Sequence, residues 1–400
     1  MSKNVPEVRF DGFIGEWEEK LLGNEVEFYS GLTYSPEDIV TKNGTLVLRS
    51  SNVKNGEIKD ADNVYVNPSK VNSQKIKQGD VIVVVRNGSR QLIGKHATVK
   101  KNLDNTVIGA FMIGIRSENS NFTNALLDTT QFAIEINKNL GATINQITTG
   151  NFKKMKFFFP SNKEQQKIGT FFKQLDDTIA LQRQLVEQQQ QYKKAMLQKM
   201  FPQKGERVPK VRFDGFSGDW EERRAENIFK PISDKNHEEL PVLSATQTKG
   251  MVYRDEVGID IKFDEKSKKS YKRVIPNQFV IHLRSFQGGF AFSDKEGITS
   301  PAYTILDFKT KDQNNPMFWK EILRSRSFIK RLETVTYGIR DGRSISYSDF
   351  STLKFLVPSL EEQQKIGTFF KQLDDIITLH EKKLEDYQHL KKALLQRMFV

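Results

Sequence analysis

The sequence predicts an α+β protein made of two mixed α/β domains, each followed by a long helix. A fourteen-residue string, EQQKIGTFFKQLDD, occurs at 164–177 and again, unchanged, at 362–375. A second string, VPEVRFDGFIGEWEE at 5–19, returns at 208–222 with three substitutions. The segments between these strings share no obvious register. The chain therefore consists of two related halves that keep a framework and differ in their inserts.

Composition limits the class of protein. Four hundred residues are enough for two or three domains with their own cores. A net charge of +12 and a pI near 9.4 suit a polyanionic partner, nucleic acid first and an anionic membrane surface second. The chain has no cysteine, which excludes disulfides, thiolate metal sites and a cysteine nucleophile. It also shows no signal-peptide core or membrane-length apolar run, so we expect a cytoplasmic protein.

The first domain is predicted to cover residues 1–160 and to contain short strands. GDVIVVVRNGSRQLIG at 79–94 is a β-branched run that ends in a turn marked by Asn87 and Gly88. GAFMIGIRS and QFAIEI are further strand candidates, and MKFFFP forms a strand just before the helix begins. These patterns predict a mixed α/β domain.

Residues 161–201 are predicted to form the first long helix. Their apolar residues recur at intervals of three and four, and no proline interrupts the stretch before Pro202. These apolar residues are Ile168, Phe172, Leu175, Ile179, Val186, Met196 and Met200. At about 1.5 Å per residue, such a helix is roughly 60 Å long.

The second half repeats this plan, with a domain at 202–358 and a helix at 359–400. NQFVIHLRSFQGGFAFS at 277–293 is a strand region comparable with the one in the first insert. NPMFWKEILRSRSFIKRLE at 315–333 has the pattern of a short helix. The two long helices carry matching apolar seams, so we expect them to pack on each other.

Catalytic alternatives find little support. GSRQLIGK at 88–95 has five residues between its glycines where a P-loop needs four, and His96 stands where the magnesium-binding Ser or Thr belongs. A metal-dependent nuclease would use Asp255, Asp260 and Lys262, but such groupings are common in a chain that is 28% charged. The five histidines show no i, i+4 pair for zinc. We therefore expect no catalytic residue, no metal site and no cofactor.

Basic and amide side chains gather around the predicted turns of both inserts. Arginine pairs bidentately with guanine, and asparagine or glutamine with adenine, so these residue types suit direct reading of base edges. Residues 20–150 carry a net charge of +3 and residues 223–350 a net charge of +6. The candidate DNA-binding residues are Arg49, Ser50, Asn52, Lys54, Arg86, Asn87, Ser89, Arg90, Lys95, Thr246, Gln247, Lys249, Arg284, Ser285, Gln287, Arg340 and Arg343.

The order of the motifs resembles a known family over essentially the whole chain. A repeated VRFDGF.G.WEE start precedes a variable insert, and P...EQQKIGTFFKQLDD then leads into a long helix that ends in KKA.LQ.MF. This order closely resembles the specificity subunits of type I restriction-modification systems, of the firmicute type.

The resemblance implies a non-catalytic subunit with two target recognition domains, each reading one half of a bipartite double-stranded DNA target. It implies that the long helices form an antiparallel coiled coil that spaces these domains. It also implies two modification (methyltransferase) subunits, which use S-adenosylmethionine to methylate adenine, and restriction subunits with motor and nuclease activity. Written as a circle, the chain has a pseudo-twofold order, since Phe399 leads back to Val5 as Phe201 leads on to Val208.

Two other classes stay open at this point. The chain could be a scaffold that recruits an enzyme to DNA without reading its sequence, with affinity from phosphate contacts and a steep salt dependence. It could also be an enzyme with an unrecognised nuclease activity, which would cleave DNA by itself in the presence of magnesium.

Overall fold

The computed structural model describes residues 4–140, 145–257, 265–334 and 345–400. The chain forms two compact units. Unit 1 consists of Met1–Gln184 and Lys382–Val400, and unit 2 of Leu185–Glu381. Each long helix contributes one part to unit 1 and the other part to unit 2, so each unit combines one insert with segments of both helices.

Unit 1 contains short strands, short helices and the first part of a long helix. Its strands are β1 (Glu18–Leu21), β2 (Glu27–Ser30), β3 (Thr45–Leu48), β4 (Val53–Lys54), β5 (Glu57–Ile58), β6 (Val64–Val66), β7 (Val81–Val84), β8 (His96–Thr98), β9 (Thr106–Ile108), β10 (Met112–Arg116) and β11 (Lys156–Phe159). Its helices are α1 (Leu22–Glu25), α2 (Ser120–Leu127), α3 (Thr130–Asn139), α4 (Thr149–Lys154) and the beginning of α5 (Asn162–Lys199).

The central sheet of unit 1 has the strand order β2-β10-β7-β8, with all neighbours antiparallel. Strand β7 is buried along its whole length because both faces of the sheet are covered. Val81 and Val83 face one apolar core, while Ile82 and Val84 face another. The alternation of a β-strand thus explains how the continuous VIVV run serves two cores.

Unit 2 contains the second set of elements and the remaining part of α5. Its strands are β12 (Glu221–Arg224), β13 (Phe229–Ile232), β14 (Leu243–Thr246), β15 (Gly250–Tyr253), β16 (Lys272–Val274), β17 (Phe279–Ile281), β18 (Ala291–Phe292), β19 (Gly297–Thr299), β20 (Thr304–Phe308) and β21 (Lys354–Val357). Its helices are α6 (Ala225–Ile228), α7 (Ser285–Gly288), α8 (Pro316–Leu323), α9 (Arg326–Thr334), α10 (Tyr347–Ser351) and the first part of α11 (Leu360–Met398).

The two units share the topology of their central sheet although their inserts share no obvious sequence register. The central sheet of unit 2 has the order β13-β20-β17-β18, which matches β2-β10-β7-β8 of unit 1. The pair β12 and β21 corresponds to β1 and β11, and each pair closes one insert at its base. We call residues 22–155 insert domain 1 and residues 225–353 insert domain 2.

The long helices predicted from the apolar spacing are present as α5 and α11, and within each unit they run antiparallel. In unit 1 the ring of Phe399 lies 5.9 Å from that of Phe172. In unit 2 the ring of Phe201 lies 6.0 Å from that of Phe370. The KKA.LQ.MF ending of each helix therefore packs against the copy of EQQKIGTFFKQLDD carried by the other helix.

The duplicated string also forms the surface on which each insert domain packs. Gly169 packs so closely on α2 that an added Cβ atom would lie 2.6 Å from the backbone nitrogen of Phe122. At Gly367 the added atom would lie 2.9 Å from the backbone nitrogen of Phe318, at the start of α8. A glycine at this position lets a short helix of the insert approach the long helix, which accounts for its presence in both copies.

Two expectations about secondary structure need correction. QFAIEI was expected to be a strand but belongs to α3, because Phe132 and Ile136 are buried on one helical face while Ile134 is 48% exposed. Thr129 caps this helix by accepting a hydrogen bond from the backbone of Phe132 at 3.2 Å. The single helix expected at 315–333 is divided into α8 and α9.

Candidate nucleic-acid interface

In unit 1 the structure brings together two of the predicted loops, which follow β3 and β7. The amide of Asn87 donates a hydrogen bond to the hydroxyl of Ser50 at 3.1 Å. Beside this contact the guanidinium of Arg86 lies 4.9 Å from the centre of the Phe111 ring, and both side chains are exposed. The stacking holds the arginine in place and leaves the outer face of its guanidinium open to a ligand.

The turn after β7 is ordered by side-chain hydrogen bonds. The Asn87 carboxamide oxygen accepts a hydrogen bond from the backbone of Ser89 at 3.0 Å, and Asn145 donates to the carbonyl of Gly88 at 3.0 Å. Ser89 and Arg90 are exposed at the tip of this turn, and Lys95 is half-buried where the chain leaves it. Because these hydrogen bonds hold the turn, its exposed groups have a defined position.

Unit 2 brings together the two equivalent loops, which follow β14 and β17. The amide of Gln247 donates a hydrogen bond to the carboxamide oxygen of Gln287 at 2.5 Å. Thr246 closes the first loop, since its hydroxyl accepts from the backbone of Lys249 and donates to the carbonyl of Gly250, both at 2.9 Å. Gln247, Lys249, Arg284 and Gln287 are all exposed.

Asn52 and Ser285, two of the residues predicted to bind DNA, are buried inside their loops rather than exposed on them. Asn52 is fully buried, and its amide donates to the carbonyl of Ala61 at 2.6 Å while its oxygen accepts from the backbone of Arg49 at 2.8 Å. Ser285 is also fully buried and accepts a hydrogen bond from the backbone of His282 at 2.8 Å. Both side chains hold a loop in shape and have no surface to offer to a base.

The remaining predicted residues divide into three groups. Arg49 is half-buried and its guanidinium is bound to Asp62, so it supports its loop. Lys54 is exposed on β4. Arg340 and Arg343 lie outside the described residues, as do Asp260 and Lys262 of the nuclease alternative.

Three residues near these loops were not predicted. Phe111 is 52% exposed and Leu283 is 60% exposed, and both were read as parts of apolar strands. The guanidinium of Arg324 binds the carbonyl of Thr248 and so connects α8 to the first loop of insert domain 2. Only an apolar residue next to a turn signal could have pointed to Phe111 and Leu283, and this signal is weak.

His282 supports the second loop of insert domain 2 as an uncharged imidazole. Its Nδ1 accepts a hydrogen bond from the backbone of Arg284 at 3.3 Å, and burial lowers its pKa to about 4. A neutral ring at the base of the loop adds no charge of its own, so the cation presented here is that of Arg284.

Comparison with known proteins assigns the chain to a family. Residues 14–189 and 218–386 match the family model described as the type I restriction modification DNA specificity domain. The chain belongs to this family. The specificity-domain matches cover both loop pairs, 49–95 in the first segment and 246–287 in the second.

Relatives within the family are specificity subunits by name. The chain is 26% identical over 193 residues to the type I restriction enzyme StySPI specificity subunit of Salmonella potsdam, a match covering 45% of this chain and 42% of that protein. It is 28% identical over 179 residues to the EcoKI specificity subunit of Escherichia coli K12, covering 42% and 38% respectively. The match thus spans about two-fifths of each relative.

A solved structure supports the fold over the whole length. The type I restriction-modification S subunit from M. genitalium aligns with a TM-score of 0.66 at 15% identity and covers 99% of both chains. In the part of the chain that the structure describes, no group of three or more acidic or histidine side chains is arranged to hold a metal ion. Among those same residues, even the long helices lack an apolar run that would let them cross a bilayer.

Proposed function

We propose that this chain is the DNA-reading subunit of a type I restriction-modification complex, and that each insert domain reads one half of a bipartite target. One observation carries the proposal: in both units the loop after the third strand in the order of the central sheet, β7 or β17, is joined by a side-chain hydrogen bond to the loop after an earlier strand, β3 or β14, and the side chains differ between the units. A constant scaffold that presents two different sets of polar groups suits two different half-sites. The chain itself supplies no chemistry in this proposal.

The exposed groups of the loops have the chemistry of base recognition. Arg86, Arg90 and Arg284 each offer a guanidinium that can pair with the O6 and N7 atoms of guanine. Gln247 and Gln287 offer amides suited to adenine, and their mutual hydrogen bond fixes them before DNA arrives. This order reduces the conformational entropy lost on binding.

The same loops offer positive charge for the DNA backbone. Lys54 and Lys249 are exposed next to the loop pairs of their own units. Ammonium groups at such positions contact phosphates, which place the protein on the duplex without selecting a sequence. Reading and positioning would therefore be divided between the arginine or amide groups and the lysines.

The repeated helix surface suits a partner that binds twice. Core packing explains the buried residues of the duplicated string but places no demand on its exposed ones. Five exposed residues are nevertheless the same in both copies, namely Gln166, Lys167, Thr170, Lys173 and Gln174 in α5 and Gln364, Lys365, Thr368, Lys371 and Gln372 in α11. We propose that this face binds one modification subunit in each unit, and that these partners methylate adenine. Restriction subunits would complete the cutting complex.

The helices are also proposed to set the gap between the half-sites. Each helix is held in each unit by the aromatic contacts of Phe399 and Phe201. The number of helical residues would then determine how many base pairs separate the bases read by the two insert domains.

Methylome sequencing tests the proposed function. A host that expresses the chain together with its modification subunit should gain one bipartite methyladenine motif, two short half-sites around a fixed gap, that is missing without the chain. Matched and scrambled duplexes are then compared at one salt concentration. Equal affinity for both would favour a scaffold that does not read sequence, and cleavage by the purified chain with magnesium would favour a nuclease.

Charge reversal tests the docking face separately. Lys173→Glu and Lys371→Glu should each remove one modification subunit from the complex, as measured by native mass spectrometry. Lys163→Glu is the control, because Lys163 lies just outside the duplicated string and a glutamate, Glu361, occupies its position in the second copy. Full occupancy in all three variants would contradict this docking site.

A further inference from the structure

A cluster of four titratable side chains lies in unit 1 where insert domain 1 meets both long helices. The ammonium of Lys391, on α11, binds Asp128 at the end of α2 with a distance of 2.6 Å and also binds Asp176 on α5. The Nε2 atom of His96, on β8, lies 3.3 Å from the other carboxylate oxygen of Asp128. The side chains of His96 and Lys391 are only 8% and 15% exposed.

The surroundings of His96 favour two protons on its ring. Its Nδ1 atom lies 3.0 Å from the carbonyl oxygen of Gly94, and its Nε2 atom faces the carboxylate of Asp128. Both neighbours are oxygen acceptors without a hydrogen to donate. A neutral imidazole has one N–H group and could satisfy only one of them, whereas an imidazolium satisfies both.

We infer that His96 is an imidazolium at neutral pH, and that its charge stabilises the packing of insert domain 1 on the two long helices. This packing weakens as the pH rises.

The equivalent cluster in unit 2 has the charge balance that this inference gives to unit 1. Lys193 binds Asp374 at 2.6 Å and Glu321 at 3.2 Å, and Lys320 binds Asp374 at 3.1 Å. Lys193 and Asp374 occupy the repeat positions of Lys391 and Asp176. Unit 2 therefore has two cations and two anions, and unit 1 has the same balance only when His96 is charged.

Comparison with the second buried histidine shows that the partners decide the charge. His96 and His282 are 9% and 7% exposed. The Nδ1 of His282 accepts a hydrogen bond, and among the described residues no carboxylate lies within ion-pair distance of its buried ring. Burial lowers the pKa of His282 to about 4. Burial acts in the same direction on the pKa of His96, but the Asp128 carboxylate and the Gly94 carbonyl outweigh it and leave the pKa raised.

Other charged groups around the cluster are largely compensated by each other. Asp177 binds both Lys100 and Lys173, and Lys100 also binds Glu57. The cluster lines one side of a cavity that Arg183 and Lys392 also border. Burial raises the pKa of Asp176, and this is only partly opposed by the charge of Lys391. His96 and Lys391 are therefore the cations in direct contact with Asp128.

The sign of the pH effect follows from the raised pKa of His96. A histidine in an unfolded chain has a pKa of about 6.5, so the stabilising effect of the proton is complete below that pH. It is lost as the pH rises through the higher pKa of the folded protein. Unit 2 has Lys320 in its cluster and keeps its balance over this range.

Histidine titration in the full-length chain tests the inference without DNA. In a sample labelled with ¹³C at histidine Cε1, one buried histidine should remain an imidazolium at pH 7 and titrate above 6.5, while His282 stays neutral. The variant His96→Gln assigns the first signal. A His96 signal that is neutral at pH 7 overturns the inference.

A second variant keeps the test decisive if His96→Gln does not fold. Lys391→Met retains His96 but removes a cation that opposes its protonation, so the His96 titration should move to higher pH. Lys392→Met is the matched control, because Lys392 is the exposed neighbour and should leave the titration unchanged. Equal titration curves in the wild type and Lys391→Met would overturn the inference that Lys391 and His96 interact within one cluster.

The consequence for DNA reading rests on the proposed function and is measured separately. Between pH 6.5 and pH 8.5, discrimination against changes in half-site 1 should fall several-fold in the wild type, while discrimination at half-site 2 stays constant. If His96 titrates in this range but discrimination is unchanged at both half-sites, the His96 charge does not hold insert domain 1 on the helices, and that part of the inference is overturned. Absence of any sequence preference at either pH counts against the proposed function and leaves the titration result intact.

Discussion

The guanidinium of Arg9 donates two hydrogen bonds to the carboxylate of Glu164, from Nε and Nη2, each 2.7 Å long. Arg212 and Glu362 repeat this arrangement in unit 2 at 2.7 and 2.8 Å. In both pairs the glutamate side chain is only 1% exposed. The arginine comes from the VRFDGF string and the glutamate from EQQKIG, so the pair joins the two duplicated strings within each unit.

Removal of either arginine should be strongly destabilising. Arg9→Ala leaves the Glu164 carboxylate buried without its partner, which costs about 3–5 kcal/mol. Urea unfolding, followed by the shift in transition midpoint, measures this loss. Arg223→Ala breaks an exposed pair with Glu221 and should cost no more than about 1 kcal/mol. Equal effects of the two substitutions would show that the Arg9 pair carries no special weight.

Alanine at Gly169 or Gly367 should destabilise the protein although alanine favours helices. The gain in helix propensity is about 1 kcal/mol, but the added methyl group would collide with α2 or α8, and overpacking costs roughly 1–3 kcal/mol. Gly150→Ala is the control, since its added carbon would meet only Thr148 at 3.6 Å. Thermal unfolding should show a lower midpoint for the first two variants and an unchanged midpoint for the control. Three equal midpoints would contradict the close approach of the short helices to α5 and α11.

Substitution of the exposed arginines should affect one half-site at a time. Arg86→Ala should reduce discrimination at one base of half-site 1 by about 1–3 kcal/mol, and Arg284→Ala should do the same in half-site 2. Arg49→Ala should change sequence preference little, because that guanidinium already binds Asp62. Fluorescence anisotropy at constant salt provides the comparison. Uniformly weaker binding to all sequences would instead place Arg86 on a phosphate.

Lengthening the helices should widen the gap in the target. Seven residues inserted between 172 and 196, with a matching insertion in α11, add roughly 10 Å while keeping the apolar seam in phase. At about 34 Å per ten base pairs, the gap should grow by roughly 3 base pairs with both half-sites intact. Methylome sequencing reads both quantities, and an unchanged gap would rule out the helices as the spacer.

The sequence predicted the framework better than the inserts, for physical reasons. Helical spacing over about 40 residues is a strong signal, and α5 and α11 follow it. In the six residues QFAIEI the alternation typical of a strand competed with an i, i+4 pair, and the capping hydroxyl of Thr129 decided for a helix. The common sheet order of the inserts was not visible, because a core requires apolar residues of suitable volume rather than particular identities.

The candidate site was predictable in residue type but not in the roles of individual residues. Asn52 and Asn87 are both asparagines near turns of the same insert, yet one is buried with its amide in use and the other joins two loops at the surface. The contact of Gln247 with Gln287 connects loops forty positions apart. Such distinctions depend on tertiary contacts, which local patterns do not contain.

The composition of unit 1 has a consequence for biosynthesis. Its residues 382–400 leave the ribosome only after all of unit 2, and at 5–20 residues per second this delay amounts to roughly 10–40 s. During that time Phe399 is absent from the aromatic pocket formed by Trp17, Phe122 and Phe172. The earlier segment 193–201 has nearly the same sequence as 391–399 and is already available. The nascent chain thus carries a competitor for the packing of 391–399 into this pocket. Crowded polysomes should therefore favour pairing between neighbouring chains.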